Sequence, residues 1–134
     1  MTADVKIQIE REIDIIAARQ AGRQLAGKLG FSSTDQTLIA TAISEVARNI
    51  VVYAARGEVV LGRVEDAGRI GIEVVARDEG PGIENVDLAM RDGYSTKNSL
   101  GLGLPGAKRL MDDFHVASEL GVGTVVTMKK WKRR

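Results

Sequence analysis

The spacing of apolar residues changes along this chain in an order that few folds accommodate. Val5, Ile7 and Ile9 alternate with Lys6, Gln8 and Glu10, the period of two that marks a half-buried strand. From Ile13 to Leu29 the step lengthens. Ala18, Ala21, Leu25 and Leu29 recur at helical spacing, with Gly30 in the stop position. Ser32, Ser33, Thr34 and Asp35 are candidate caps for a second helix, whose stripe is Ile39, Ile43, Val46 and Ile50. Gly57 closes the connection to two strand-like runs, Glu58 to Glu65 and Arg69 to Arg77, around a hairpin turn at Asp66-Ala67-Gly68. Pro81 cannot continue a ladder, so the second run ends there. The stretch from Ile83 to Leu100 is mostly polar, with a short helical piece expected over Ile83 to Met90. Leu104, Ala107, Met111 and Phe114 step helically, and two last strands follow, His115 to Leu120 and Thr124 to Lys130. Hairpin strands with helices grouped between them favour an α+β sandwich on an antiparallel or mixed sheet over an alternating parallel one.

Composition excludes several function classes. At 134 residues the chain is one domain, residues 1–134, with 44% hydrophobic and 28% charged residues, values of an ordinary globular protein. Zero cysteines exclude a disulfide scaffold and a thiol nucleophile, and one histidine argues against multi-histidine metal sites. A net charge of +1 and 4% aromatics give neither the field nor the stacking surface that nucleic acid requires. No uninterrupted apolar run spans a membrane and no secretory leader opens the chain, so a cytoplasmic location without membrane partners is expected. What remains to be explained is 15 glycines, most of them in the second half.

Three constellations carry chemistry, and two of them are built on five of these glycines. Glu45 and Asn49 are four residues apart on the second helix, about 40° around its axis. A carboxylate can act as general base, and an amide oxygen one turn away can ligate a hard cation such as Mg²⁺. Asp78-x-Gly80-x-Gly82 stands at a strand end, where glycines permit close approach and a carboxylate can accept a hydrogen bond from an exocyclic amine. Gly101-x-Gly103-x-x-Gly106 opens a helix, where backbone N–H groups suit a phosphate. Taken singly, each pattern is better explained by a solvated helix face or an ordinary turn. All three together are expected roughly 0.004 times in a chain of this composition. Together they are the parts of one nucleotide site.

The same residues resemble the GHKL (Bergerat-fold) ATPases. Glu45-Val46-Ala47-Arg48-Asn49 looks like that family's N box, Asp78-Glu79-Gly80-Pro81-Gly82 and Gly101-Leu102-Gly103-Leu104-Pro105-Gly106 like its two glycine boxes, and Gly123-Thr124 like its late Gly-Thr. Ala18-Arg19-Gln20, Leu29-Gly30-Phe31, Asp35-Gln36, Thr41 to Glu45 and Tyr53-Ala54 are similar to the small serine-protein kinases of bacterial partner switching, and above all to the switch kinases of the stressosome. The resemblance implies a two-layer α+β sandwich with a mixed, mainly antiparallel sheet and helices on one face. It implies ATP and Mg²⁺ as cofactors, phosphoryl transfer to serine or threonine of STAS-domain proteins, and binding and activation of a PP2C-type phosphatase. By residue, it makes Glu45 the general base and Asn49 the Mg²⁺ ligand. Asp78 would read the adenine amine, with Gly82 against the base, Gly80 in the same nucleotide-binding box and Thr124 in support. Gly101, Leu102 and Gly103 would bind phosphate, with Leu104 and Gly106 completing the box. Ser95, Thr96 and Lys97 would lie in the ATP lid, Lys97 neutralising the γ-phosphate.

Other features carry less. Arg48 is equally well read as a salt-bridge residue. His115 is expected to be structural or solvated, and the basic run Lys129 to Arg134 to be a solvated terminus with Trp131 packing back. An anti-sigma factor of the same fold is the rival reading, since those relatives keep the same Glu and Asn. A histidine-kinase catalytic domain fits less well, because the chain carries no dimerisation helix pair with an acceptor histidine.

Overall fold

The computed structural model describes residues 4–80 and 103–133. Strand β1 (Val5–Ile9) leads into helices α1 (Glu12–Lys28) and α2 (Ser33–Asn49). A π-helical turn (Ile50–Ala54) continues α2. Strands β2 (Gly57–Asp66) and β3 (Arg69–Asp78), helix α3 (Gly103–Leu110), and strands β4 (Asp113–Glu119) and β5 (Gly123–Trp131) follow. The strands form one sheet in the order β1-β2-β3-β5-β4, and all four described pairings are antiparallel.

Helix ends are set by local chemistry. The Asp14 carboxylate reaches back to accept the N–H groups of Glu10 and Arg11, both at 2.9 Å, and these bonds hold its carboxyl below the usual carboxylate range. A lowered folded value means that this contribution to stability is present above the ordinary carboxylate value of about 4 and lost as pH falls below it through the lowered folded value. Asp14→Ala is therefore expected to lower the thermal midpoint at neutral pH, the difference from the parent closing in acid. At the other end, Phe31 N–H bonds to the Ala26 carbonyl and Gly30 N–H to that of Gly27. Gly30, at φ +90, makes this left-handed close without a Cβ penalty. Of the candidate caps, Ser32 does the work: its Oγ accepts from Asp35 N–H at 3.1 Å.

The α1 stripe is displaced from the expected one. Ile15, Ala18, Gly22 and Ala26 are buried, whereas Ala21, Leu25 and Leu29 flank them. A Cβ on Gly22 would overlap Ile43 Cδ1, so α1 meets α2 across a glycine, a position that hydrophobic spacing does not register. The α2 stripe is as expected: Ile39, Ile43, Val46 and Ile50 are all buried. Together with its π turn this helix runs 22 residues, Ser33–Ala54, with a most apolar window of mean hydropathy 1.2. Length and hydropathy alone would let it cross a membrane, but here its apolar stripe fills the core.

Ile9, Val59, Leu61, Ile72, Val74, Ala76, Val126 and Met128 point from the sheet into the same core as the three helices. Alternate residues such as Glu58, Glu73, Arg77 and Lys129 lie on the opposite side, the first and third ion-paired at 3.5 Å and the other two at 3.8 Å. The helices thus cover one face, the expected two-layer α+β arrangement.

Two expectations need correcting. Phe114 belongs to β4, because α3 stops at Leu110. The basic run is not a solvated terminus, for Lys129, Lys130 and Trp131 are part of β5. Lys130 is 6% exposed, and its Nζ donates to the Leu110 carbonyl at 2.8 Å, a cation at the negative end of α3. Trp131 does pack back: Nε1 donates to Asp113 Oδ2 at 2.8 Å and the Arg69 guanidinium lies 4.5 Å from its ring centre. His115 is exposed on β4.

Candidate active site

Asp78 ends β3, paired on one side with Gly57 of β2 and on the other with Thr124 of β5. Its Oδ1 accepts the N–H groups of Gly80 at 2.9 Å and Thr124 at 3.3 Å. Among the described residues no partner reaches Oδ2. One carboxylate oxygen therefore fixes the corner, and the other is an acceptor that a donor on a ligand could meet. Thr124 is 9% exposed, and its hydroxyl lies 3.0 Å from that of Ser118.

Three glycines close around this aspartate. A Cβ on Gly57 would strike the Arg77 carbonyl and reach 3.0 Å from Asp78 Cβ. One on Gly80 would lie 2.6 Å from Ala54 Cβ, and one on Gly123 would overlap the Asp78 carbonyl. The π turn packs against β2 and β3, close enough that a Cβ on Gly80 would meet Ala54 and one on Gly57 would meet Ile50 Cγ2. The last turn of α2 is thereby brought to the Asp78 corner. π turns of this kind recur at functional sites.

On α2, the Glu45 side chain is 12% exposed and Oε1 lies 3.3 Å from Arg48 Nη1, whose side chain is 41% exposed. The salt-bridge reading of Arg48 thus holds, and its partner is Glu45. Asn49 is half-buried at the helix end. No group of three His, Cys, Asp or Glu suited to a metal exists among the described residues. A hard cation at Asn49 would complete its shell with phosphate oxygens and water, as Mg²⁺ does.

Helix α3 packs along α2. Gly103 begins it, and Leu104 and Gly106 are buried. The Leu104 side chain belongs to the core, so only its backbone could serve a phosphate. Gly82, Ser95, Thr96, Lys97, Gly101 and Leu102 lie outside the described residues, as does the helical piece expected from Ile83 to Met90. Of the expected site, Asp78, Gly80 and Thr124 are in direct contact. Gly57 and Ser118 were not anticipated in this role, and no sequence pattern marks either one.

An acceptor-bearing corner, an enclosed carboxylate and an amide at the end of a long helix form the frame of a nucleotide-binding domain. Residues 10–130 match the histidine kinase-like ATPase domain family, and the chain belongs to it. It is 50% identical over 127 residues, 95% of this chain and 96% of the relative, to serine/threonine-protein kinase RsbT of Bacillus subtilis. It is 32% identical over 118 residues, 84% of this chain and 82% of the relative, to an anti-sigma F factor of Clostridium kluyveri. Its fold matches the crystal structure of the RsbU and RsbW domains of a Mycobacterium tuberculosis protein with a TM-score of 0.67 at 18% identity, covering 99% of this chain and 34% of that one.

Asp78→Asn tests the corner. The amide oxygen can still accept from Gly80 and Thr124, but an NH₂ group replaces Oδ2 and presents a donor where the resemblance to the ATPases implies an adenine amine. Loss of one charged hydrogen bond predicts Mg-ATP binding weakened about 10- to 100-fold, read by calorimetry, with the nucleotide-free thermal midpoint little changed.

Proposed function

We propose that this protein is an ATP-dependent serine/threonine kinase that phosphorylates STAS-domain proteins in a cytoplasmic bacterial stress-signalling partner switch. Once released, it binds and activates a PP2C-type phosphatase. The observation that carries the reading is the enclosed carboxylate of Glu45, four residues before Asn49, in a chain half identical to a serine/threonine-protein kinase.

In this reading Asp78 accepts the adenine amine through Oδ2, with Thr124 beside it. The backbone N–H groups of Gly101, Leu102 and Gly103 hold phosphate at the start of α3, where the helix dipole favours an anion. Asn49 would hold Mg²⁺, which would neutralise charge on the phosphates. Lys97, which follows Ser95 and Thr96, balances the γ-phosphate. Glu45 takes the proton of the acceptor hydroxyl while that oxygen bonds to the γ-phosphorus. The bond from phosphorus to the β–γ bridging oxygen breaks, and ADP leaves.

The test is transfer of labelled γ-phosphate from Mg-ATP to purified STAS-domain proteins of the same organism. Phosphoserine or phosphothreonine on one of them is expected. If none is labelled while ATP still binds, the kinase reading falls. Co-purification with a sigma factor would then identify a sequestering protein like the anti-sigma F relatives.

A further inference from the structure

We propose that Arg48 is a positioning residue of the transfer reaction. It grips the Glu45 carboxylate by Oε1, so that Oε2 is the oxygen left to take the acceptor proton. The inference rests on the general-base reading of Glu45.

The two side chains are three residues apart on α2, with Nη1 and Oε1 at 3.3 Å. Their surroundings differ. The glutamate is nearly enclosed at 12% exposure, next to buried Val46 and Ala42, whereas the guanidinium stands at the rim at 41%. A pair this open contributes little to the stability of a helix. What it changes is the freedom of the carboxylate.

A glutamate has three side-chain torsions, and a base must come within about 3 Å of the proton it removes. An untethered carboxylate spends most of its time in rotamers that miss the hydroxyl, and each lost fraction lowers the effective concentration of base. A guanidinium on one oxygen restricts those rotamers and leaves the second oxygen with its lone pairs. The proton of the incoming serine or threonine passes to Oε2, its oxygen bonds to the γ-phosphorus, and ADP leaves with the bridging oxygen.

Such a role predicts a split that a helix-stabilising role would not show. Arg48→Met keeps the apolar stem and removes the charge. It is expected to lower kcat for transfer to the labelled STAS-domain acceptor about tenfold, with KM and Kd for Mg-ATP within about twofold of the parent. Arg48→Lys, which restores a cation over the same span, is expected to recover most of the loss. Glu45→Gln is run beside them. Parental kcat in Arg48→Met, with Glu45→Gln inactive, overturns the positioning role and leaves the general base standing. Parental kcat in Glu45→Gln overturns both. Loss of ATP binding or of the folded state in Arg48→Met, with no rescue by lysine, makes Arg48 structural and overturns the inference.

Discussion

The Glu45→Ala protein is expected to bind Mg-ATP as the parent does and to transfer phosphate about 10²- to 10⁴-fold more slowly. The size of the effect follows from the role, since a positioned base removes a proton that water at neutral pH removes poorly. Retention of binding follows from geometry. The Asp78 corner is built from β3, β5 and three glycines, and Glu45 takes no part in its hydrogen bonds. The fold should tolerate the change, because the only ion-pair partner left behind among the described residues is Arg48, 41% exposed and able to turn to water. Calorimetry for binding and single-turnover transfer for chemistry separate the two quantities. Equal turnover by the two proteins removes the general-base role.

Gly123→Ala is expected to damage the fold and the site together. Gly123 has φ +148, a conformation that L side chains rarely adopt, and its Cβ would overlap the Asp78 carbonyl and lie 2.9 Å from Glu79 Cα. Both neighbours are backbone, so no rotamer change relieves the contact. Conformational strain and overpacking together cost about 3 kcal/mol or more, a fall in thermal midpoint on the order of 10 °C. The strand pair must part where Thr124 N–H meets Asp78 Oδ1, so Mg-ATP affinity should fall with stability. A midpoint equal to the parent's would show that the chain relaxes there without cost.

Much of the fold was legible because its signals are local. Alternation in Val5–Ile9, the stripe from Ile39 to Ile50, the Gly30 stop and the Asp66–Gly68 turn each act within a few residues, and the observed bounds agree within a residue or two. What escaped depends on distant partners. The centre of the α1 stripe falls on Gly22 and Ala26, which carry little hydrophobic signal but let α2 approach. Ile50-Val51-Val52-Tyr53-Ala54 is an apolar run without a clear period, so nothing in it announces a π turn. Lys130 reads as solvated from its charge, yet its stem is buried and its ammonium meets a carbonyl twenty residues back. Of the candidate site, Glu45, Asn49 and Asp78 stand out as residue types at set spacings, and Thr124 only through the family resemblance. The glycine cage was not, because the clearances of Gly57 and Gly123 exist only once three strands have paired.

The lone tryptophan offers a built-in optical reporter. Trp131 is clamped between Asp113 and Arg69 at one end of β5, and Thr124 stands at the other. They are seven residue steps apart along the strand, about 23 Å. Its emission should follow melting of the sheet and remain silent when nucleotide enters, so one fluorescence cuvette can sort variants that no longer fold from variants that fold but no longer bind.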